Sequence, residues 1–231
     1  MIPIEYVSET GLVRKINEDS LKIESIGDYT VFFVADGIGG LEIGGESSRI
    51  AVETGSSYLR DSLENKTVSD KDLDSILISM FKEINKEIYK NGVNKNVSTG
   101  TGTTLTVVLL NKLSLVVAHI GDSRAYMIHG SSIIKLTSDH VVEDSSHVLS
   151  KSLGENVFIN PDIYRYSIMY GDLVLVCSDG VHSVLNDDEI LVCLKKHKDL
   201  KGCLNNLLEA VNKKGAPDNI TAILAHNKPE R

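Results

Sequence analysis

Five acidic positions in this chain share a context: Glu18-Asp19 in INEDS, Asp36 in ADGIGG, Asp122 in IGDSR, Asp179 in CSDG and Asp218 in GAPDN. Each stands where a strand would begin, end or turn. Strand ends on one rim of a sandwich can converge, and carboxylates that converge without compensation repel strongly. Divalent cations resolve such a cluster, because Mg2+ and Mn2+ prefer carboxylate, carbonyl and water oxygens. The glycines after Asp36 and Asp179 let the backbone approach closely, so the Gly37 carbonyl joins the candidate donors. Asp-Gly is also a common turn pair, and each instance taken alone reads as a turn. Spacing alone leaves both readings open.

The elements that must position these residues are visible in outline. Residues 1–7 alternate loosely, as an edge strand does. Residues 20–26 and 29–35 read as a hairpin through Gly27-Asp28. Its second strand, Val31-Phe32-Phe33-Val34-Ala35, is apolar throughout, so it is expected to be covered on both faces and to deliver Asp36 at its end. Two helices are expected next, over 46–65 and 69–91. The second carries Leu73, Ile76, Leu77, Met80, Ile84 and Ile88 at helical spacing. Ser69 and Asp72 resemble a capping box, and Gly92 reads as its stop. Residues 103–110, 113–120, 123–129 and 132–136 read as an antiparallel meander, and 162–169 with 172–177 as a further hairpin around Tyr170-Gly171. Helices over 187–197 and 200–214 and a strand over 219–225 complete the chain. This order predicts an α+β fold: two stacked, mostly antiparallel sheets flanked by pairs of helices, an α-β-β-α sandwich. No repeat or linker interrupts it, so residues 1–231 read as a single domain.

Composition narrows the function classes. The 231 residues are 42% hydrophobic and 24% charged, which excludes wholesale disorder. With 24 basic and 32 acidic residues the net charge is −8, so nucleic acid is not an expected partner. Cys177, Cys193 and Cys203 form no CxxC pair and read as small buried apolar residues in a reducing compartment. The opening MIPIEYVSETG lacks the features of a signal peptide. The longest apolar stretch, 105–120, is broken by Asn111, Lys112 and Ser114 and cannot span a bilayer. The expectation is a cytoplasmic protein without a membrane partner.

The segments TGLVRKINED, VADGIGG, GTGTTLTVVL, HIGDSRAYMI, LTSDH, CSDG and GAPDNIT occur in this order between residues 8 and 224. Together they resemble the PPM family, the metal-dependent protein phosphatases of the protein phosphatase 2C type, in a bacterial-like form. The resemblance implies hydrolysis of phosphoserine and phosphothreonine on proteins with two or three Mn2+ or Mg2+ ions. It implies that Asp36 bridges two metals, that the Gly37 carbonyl and Glu18 complete the second, and that Asp179 and Asp218 hold the first. Asp122 would help Asp179 hold a weaker third ion. Asp19 would lie in or just behind this set, and Arg14 would clamp the phosphate. Phosphorylated proteins are the implied partners, with a serine/threonine kinase and its targets among them.

Four departures qualify the resemblance. The family's DGxGGH ends here in Leu41, which cannot protonate a leaving alkoxide as the family's histidine is thought to do. Loss of a general acid costs about 10²–10⁴-fold, most for poor leaving groups. The Gly-Glu pair that opens the first helix reads Gly44-Gly45, with Glu46 one residue later. The carboxylate that often stands four residues after Asp179 is Ser183. Only residues 141–148 separate His140 from Leu149, so the flap is short. Leu41 supports a rival reading, a catalytically silent module that binds phosphoproteins. A second rival, a serine hydrolase, rests on Gly121-Asp122-Ser123-Arg124-Ala125, but that elbow needs a helix after the serine and residues 125–129 read as strand. Residues 37–45 match no nucleotide-binding glycine pattern. His119 reads as a strand histidine satisfied by its neighbours and His140 as a loop brace. His182, three residues after Asp179, could approach a metal, but the reading that it does not is preferred.

Overall fold

Two apolar faces on one strand demand two covers, and the chain supplies them as layers. The computed structural model describes residues 2–39, 42–64, 66, 68–95, 101–143 and 145–228. In chain order the elements are β1 (Ile4–Glu9), β2 (Asp19–Ile26), β3 (Tyr29–Ile38), α1 (Glu42–Leu63), α2 (Asp70–Asn94), β4 (Gly102–Thr103), β5 (Leu105–Leu110), β6 (Ser114–Ile120), β7 (Arg124–His129), β8 (Ser132–Lys135), β9 (Val141–Val142), β10 (Ser145–Leu149), β11 (Asp162–Ser167), β12 (Leu173–Cys177), α3 (Asp179–His182), α4 (Asp187–Lys195), α5 (Leu200–Lys213) and β13 (Ile220–His226). One large sheet has the order β11-β6-β5-β3-β2, with β4 paired to β3; the other large sheet has the order β1-β13-β12-β7-β8; β10 and β9 form a separate two-stranded sheet. Every pairing is antiparallel.

The alternation along β3 explains the layering. Phe32 and Val34 point between the sheets, where they meet Val108, Val117, Val176 and Ile223. Val31, Phe33 and Ala35 point outward and pack with Leu59, Leu77, Phe81 and Ile84 of α1 and α2. On the other side, Tyr126, Leu175 and Leu224 pack with Leu194 and Leu207 of α4 and α5. The result is the expected α-β-β-α sandwich.

Four local expectations are corrected. The chain of four strands over 103–136 is not one meander. β5 and β6 belong to one sheet and β7 and β8 to the other, so the Gly121-Asp122 turn carries the chain between sheets. Likewise β11 pairs with β6 while β12 lies in the opposite sheet, so Tyr170-Gly171 joins no hairpin. Strands of both sheets carry the same apolar runs, so local pattern does not say which sheet a strand joins. Gly92 does not stop α2, which runs on to Asn94. Gly92 is buried, and the packing of that turn outweighs the roughly 1 kcal/mol that glycine costs in a helix. α1 starts at Glu42, a turn before the expected Glu46. The three cysteines are buried thiols.

Candidate active site

The sheet crossings bring the acidic residues to one rim. Asp19 and Asp36 face each other across β2 and β3. Asp122 sits in the crossing turn. β12 and β13 are antiparallel neighbours, so Asp179, just after β12, and Asp218, just before β13, come out at the same end. A cleft of about 480 Å³ opens there, and Arg14, Glu18, Asp36, Asp122, Asp179 and Asp218 line it, with Gly37 among the backbone contributors. Of the expected site residues, Asp19 alone is absent from this wall: it is buried behind it, where its Oδ2 accepts from the Ser178 hydroxyl at 2.7 Å.

The local architecture at each position has a physical cause. The Asp36 amide donates to Thr104 Oγ1 at 3.0 Å, and the Thr103 hydroxyl donates to the Asp36 carbonyl at 2.8 Å, which fixes the end of β3. Gly37 tolerates no side chain: a Cβ there would stand 2.2 Å from the Gly44 carbonyl oxygen. A Cβ on Gly44 would in turn stand 2.5 Å from Glu18 Oε1. Gly44, the glycine the family pair keeps, therefore lets the first turn of α1 close onto Gly37 and Glu18, whereas a Cβ on Gly45, the position that departs, would come no nearer than 3.4 Å to Glu18. Arg14, with its side chain half exposed, donates from Nη2 to Asp218 Oδ2 at 2.7 Å. Ser183 caps the short α3 with its backbone amide.

Electrostatics mark this cleft as overcharged. Burial, then the negative charges of Asp19, Asp179 and Asp122, hold the Asp36 carboxyl well above the usual carboxylate range. Burial and Asp179 push Asp122 up to about 7. Burial pushes Asp19 up to about 7 against the hydrogen bonds of Ser178 and Thr221. Burial also raises Glu18, opposed by Arg14. Glu18 Oε1 and Asp19 Oδ1 are buried without a hydrogen-bond partner among the described residues. Among the described residues no three His, Cys, Asp or Glu side chains already close on one ion-sized point; Asp218, for one, is turned to Arg14. The donor set nevertheless fits hard divalent cations: it is all oxygen, it carries excess negative charge, and Glu18 Oε1 lacks a partner among the described residues.

Several residues that hold the site escaped sequence reasoning. Asn219 ties the loop of residues 10–18 to β13: its Nδ2 donates to the carbonyls of Thr10 and Ile16, and its Oδ1 accepts the Glu18 amide, all at 2.9 Å. Two imidazoles clamp the crossing turn. His140 Nδ1 accepts the Gly121 amide at 3.1 Å, as its reading as a loop brace anticipates. His182 Nε2 donates to the Asp122 carbonyl at 3.0 Å, and burial holds this ring neutral, with its pKa lowered to about 4. His182 thus supports a candidate ligand and does not line the cleft. Arg124 forks onto Asp139 with Nε and Nη2. The only foreshadowing of Asn219 is its place beside Asp218 in GAPDN. His119 bonds Thr106 through Nδ1 at 2.9 Å and stacks on His140, so it is satisfied on one side only, its Nε2 having no partner. Ser123 is buried, bonds Thr104 and leads into β7, which removes the hydrolase elbow. Leu41 lies outside the described residues.

The family model for protein phosphatase 2C matches residues 13–225. This chain belongs to the protein phosphatase 2C family. It is similar to the serine/threonine phosphatase stp of Listeria welshimeri, at 27% identity over 95% of this chain and 94% of that one. It is 28% identical to protein phosphatase PhpP of Streptococcus pneumoniae, over 98% of each chain. Among solved structures, the S. agalactiae serine/threonine phosphatase matches with a TM-score of 0.88 at 25% identity, covering 98% of this chain and 99% of that one. The catalytic domain of the phosphatase PstP, solved in complex with two manganese ions, matches with a TM-score of 0.83 at 25% identity over 97% of each chain. These relatives are named as phosphatases, and none of the matches supports the silent-module reading.

Proposed function

We propose that this chain, a serine/threonine protein phosphatase, hydrolyses phosphoserine and phosphothreonine in the cleft at the sandwich rim, with Mn2+ or Mg2+ as cofactor. The observation that carries this is the gathering of Glu18, Asp36, Asp122, Asp179 and Asp218 on one cleft with Arg14 at its edge. Asp36, the Gly37 carbonyl, Glu18, Asp179 and Asp218 would hold two cations, and Asp122 with Asp179 a third. When bound, such ions acidify a water and neutralise charge on the phosphoryl oxygens.

The chain's own residues account for the remainder of the chemistry. Arg14 is exposed enough to leave Asp218 and present two N–H groups to a phosphate, a geometry a guanidinium holds well. Thr103 and Thr104 keep Asp36 in place by holding its backbone. Asp19 and Ser178 stiffen the floor behind it. Leucine at position 41 has no proton to give, so the leaving oxygen takes its proton from another group or from water.

Residues 1–231 would act as one phosphatase domain, which the apolar layer shared by both sheets supports. Substrates are phosphorylated proteins; a kinase acting on the same targets is the partner the family resemblance suggests. No helix among the described residues is long and apolar enough to cross a membrane, which accords with a cytoplasmic location. Calorimetric titration with Mn2+ tests the ligand set. Wild type should bind at least two ions, and Asp179→Asn should lose one of them or weaken it by about 10²-fold. Unaltered binding in Asp179→Asn would remove Asp179 from the set.

A further inference from the structure

The connection between α4 and α5 reads Lys195-Lys196-His197-Lys198-Asp199-Leu200-Lys201. Four lysines in seven residues is a sharp local reversal in a chain of net charge −8. Lys195, Lys196, Lys198 and Lys201 are all exposed. Elsewhere Lys22, Lys86, Lys90, Lys135, Lys151 and Lys214 each reach a carboxylate, and Lys15, Lys66, Lys71 and Lys82, without an ion pair among the described residues, are scattered along the chain. None of the four lysines of the connection has an ion-pair partner among the described residues. They also have company from other segments. A cleft of about 420 Å³ gathers Lys198 and Lys201 with His226 and Lys228 from the end of β13, over an apolar floor of Ile4 and Leu200. Two carboxylates reach this cleft. Asp199 accepts the Gly202 amide at 2.8 Å and keeps its charge, so Lys198, Lys201 and Lys228 stand against Asp199 and Glu5 in the cleft, with Lys195 and Lys196 adding positive charge beside it.

We infer that this cleft is a docking site for an acidic segment of the protein substrate, separate from the phosphorylated residue; the inference rests on the phosphatase reading above. Charge selects the occupant. Nucleic acid would meet the repulsion of an otherwise acidic surface. A concave cleft with an apolar floor suits an extended chain, whereas a bilayer presents a flat face. Position sets the spacing. β13 runs from beside Asp218 to His226 over seven residues, roughly 23 Å at strand rise. A substrate bridging both sites needs no fewer than about seven extended residues between phosphate and acidic stretch.

The test compares two phosphothreonine peptides that differ only in a stretch of glutamate or glutamine about eight residues from the phosphate. With Mn2+, wild type should favour the glutamate peptide by about tenfold in kcat/KM, expressed in KM. Unspecific electrostatics would give the opposite order, because the protein is acidic overall. The preference should vanish at about 0.5 M NaCl and in a variant with Lys195, Lys196, Lys198 and Lys201 all changed to Gln. That variant should hydrolyse p-nitrophenyl phosphate as wild type does, which shows that it is folded. Equal use of both peptides by wild type, or a preference that survives in the variant, would overturn the docking site. So would binding to phosphatidylserine vesicles without binding to the glutamate peptide. Failure to hydrolyse p-nitrophenyl phosphate would instead sink the phosphatase reading. Fluorescence anisotropy of a labelled glutamate peptide would then still decide the site, with binding in wild type and loss in the variant supporting it and equal binding refuting it.

Discussion

Asp36 is buried among the negative charges of Asp19, Asp179 and Asp122 and faces Asp19 across the hairpin, so its charge is costly to hold without a cation. Local chemistry alone left each of these acids as a turn; their roles were readable from the ordered motifs of the family resemblance. Asn219, His182 and the Arg124–Asp139 pair were not, because they act on backbone or side chains far away in sequence, and nothing near them announces the partner. Leu41 gives a prediction at this scale. Leu41→His should raise turnover of a phosphothreonine peptide by about 10²-fold and that of p-nitrophenyl phosphate far less, since an aryl leaving group needs little protonation. Equal gains on both substrates would mean that residue 41 has no part in proton delivery. His119 gives another. Burial, with His140 beside it, lowers its pKa to about 3, against about 6.5 in an unfolded chain. The folded state keeps the ring neutral while the unfolded chain takes up a proton, so this contribution is intact above pH 6.5 and is lost as the pH falls. Wild type should lose about 1.4 kcal/mol per pH unit more than His119→Asn between pH 6 and 5. Urea denaturation at several pH values reads this directly, and parallel profiles would contradict it.

At the scale of elements, the hairpin of β2 and β3, the striped helix α2 and the ranges of α4 and α5 were visible; Ser69 does cap α2, and Asn186, which was not singled out, caps α4. Sheet membership was not visible. The turns at Gly121-Asp122 and Tyr170-Gly171 have the length of hairpin connections, yet each crosses between sheets. Only the need to cover both faces of β3 and β12 decides that, and it is a property of the assembled layers. The four-residue α3 was also missed, being too short for any periodicity. It matters because α3 sets Asp179 against Asp218. A Cβ on Gly180 would stand 1.9 Å from the Asn219 carbonyl oxygen, so Gly180→Ala must push the two segments apart. The expected cost is about 2 kcal/mol of stability, a fall of roughly 4–8 °C in Tm, with Mn2+-dependent activity falling by about 10²-fold. A variant with unchanged Tm and activity would show that this contact does not position the acids.

For the whole molecule, the sandwich solves a single problem: it brings residues from positions 14 to 218 to one rim while one shared apolar layer holds the sheets in register. The acidic surplus legible in the composition is partly this cleft, and the basic connection between α4 and α5 stands apart at the other end of β13. The most direct test of the central claim is release of phosphate from a phosphothreonine peptide with and without Mn2+, comparing wild type with Asp36→Asn. The account predicts turnover that needs the ion, disappears with a chelator, and falls by on the order of 10³-fold in the folded variant. Turnover that persists in the chelator, or that Asp36→Asn leaves intact, would contradict it.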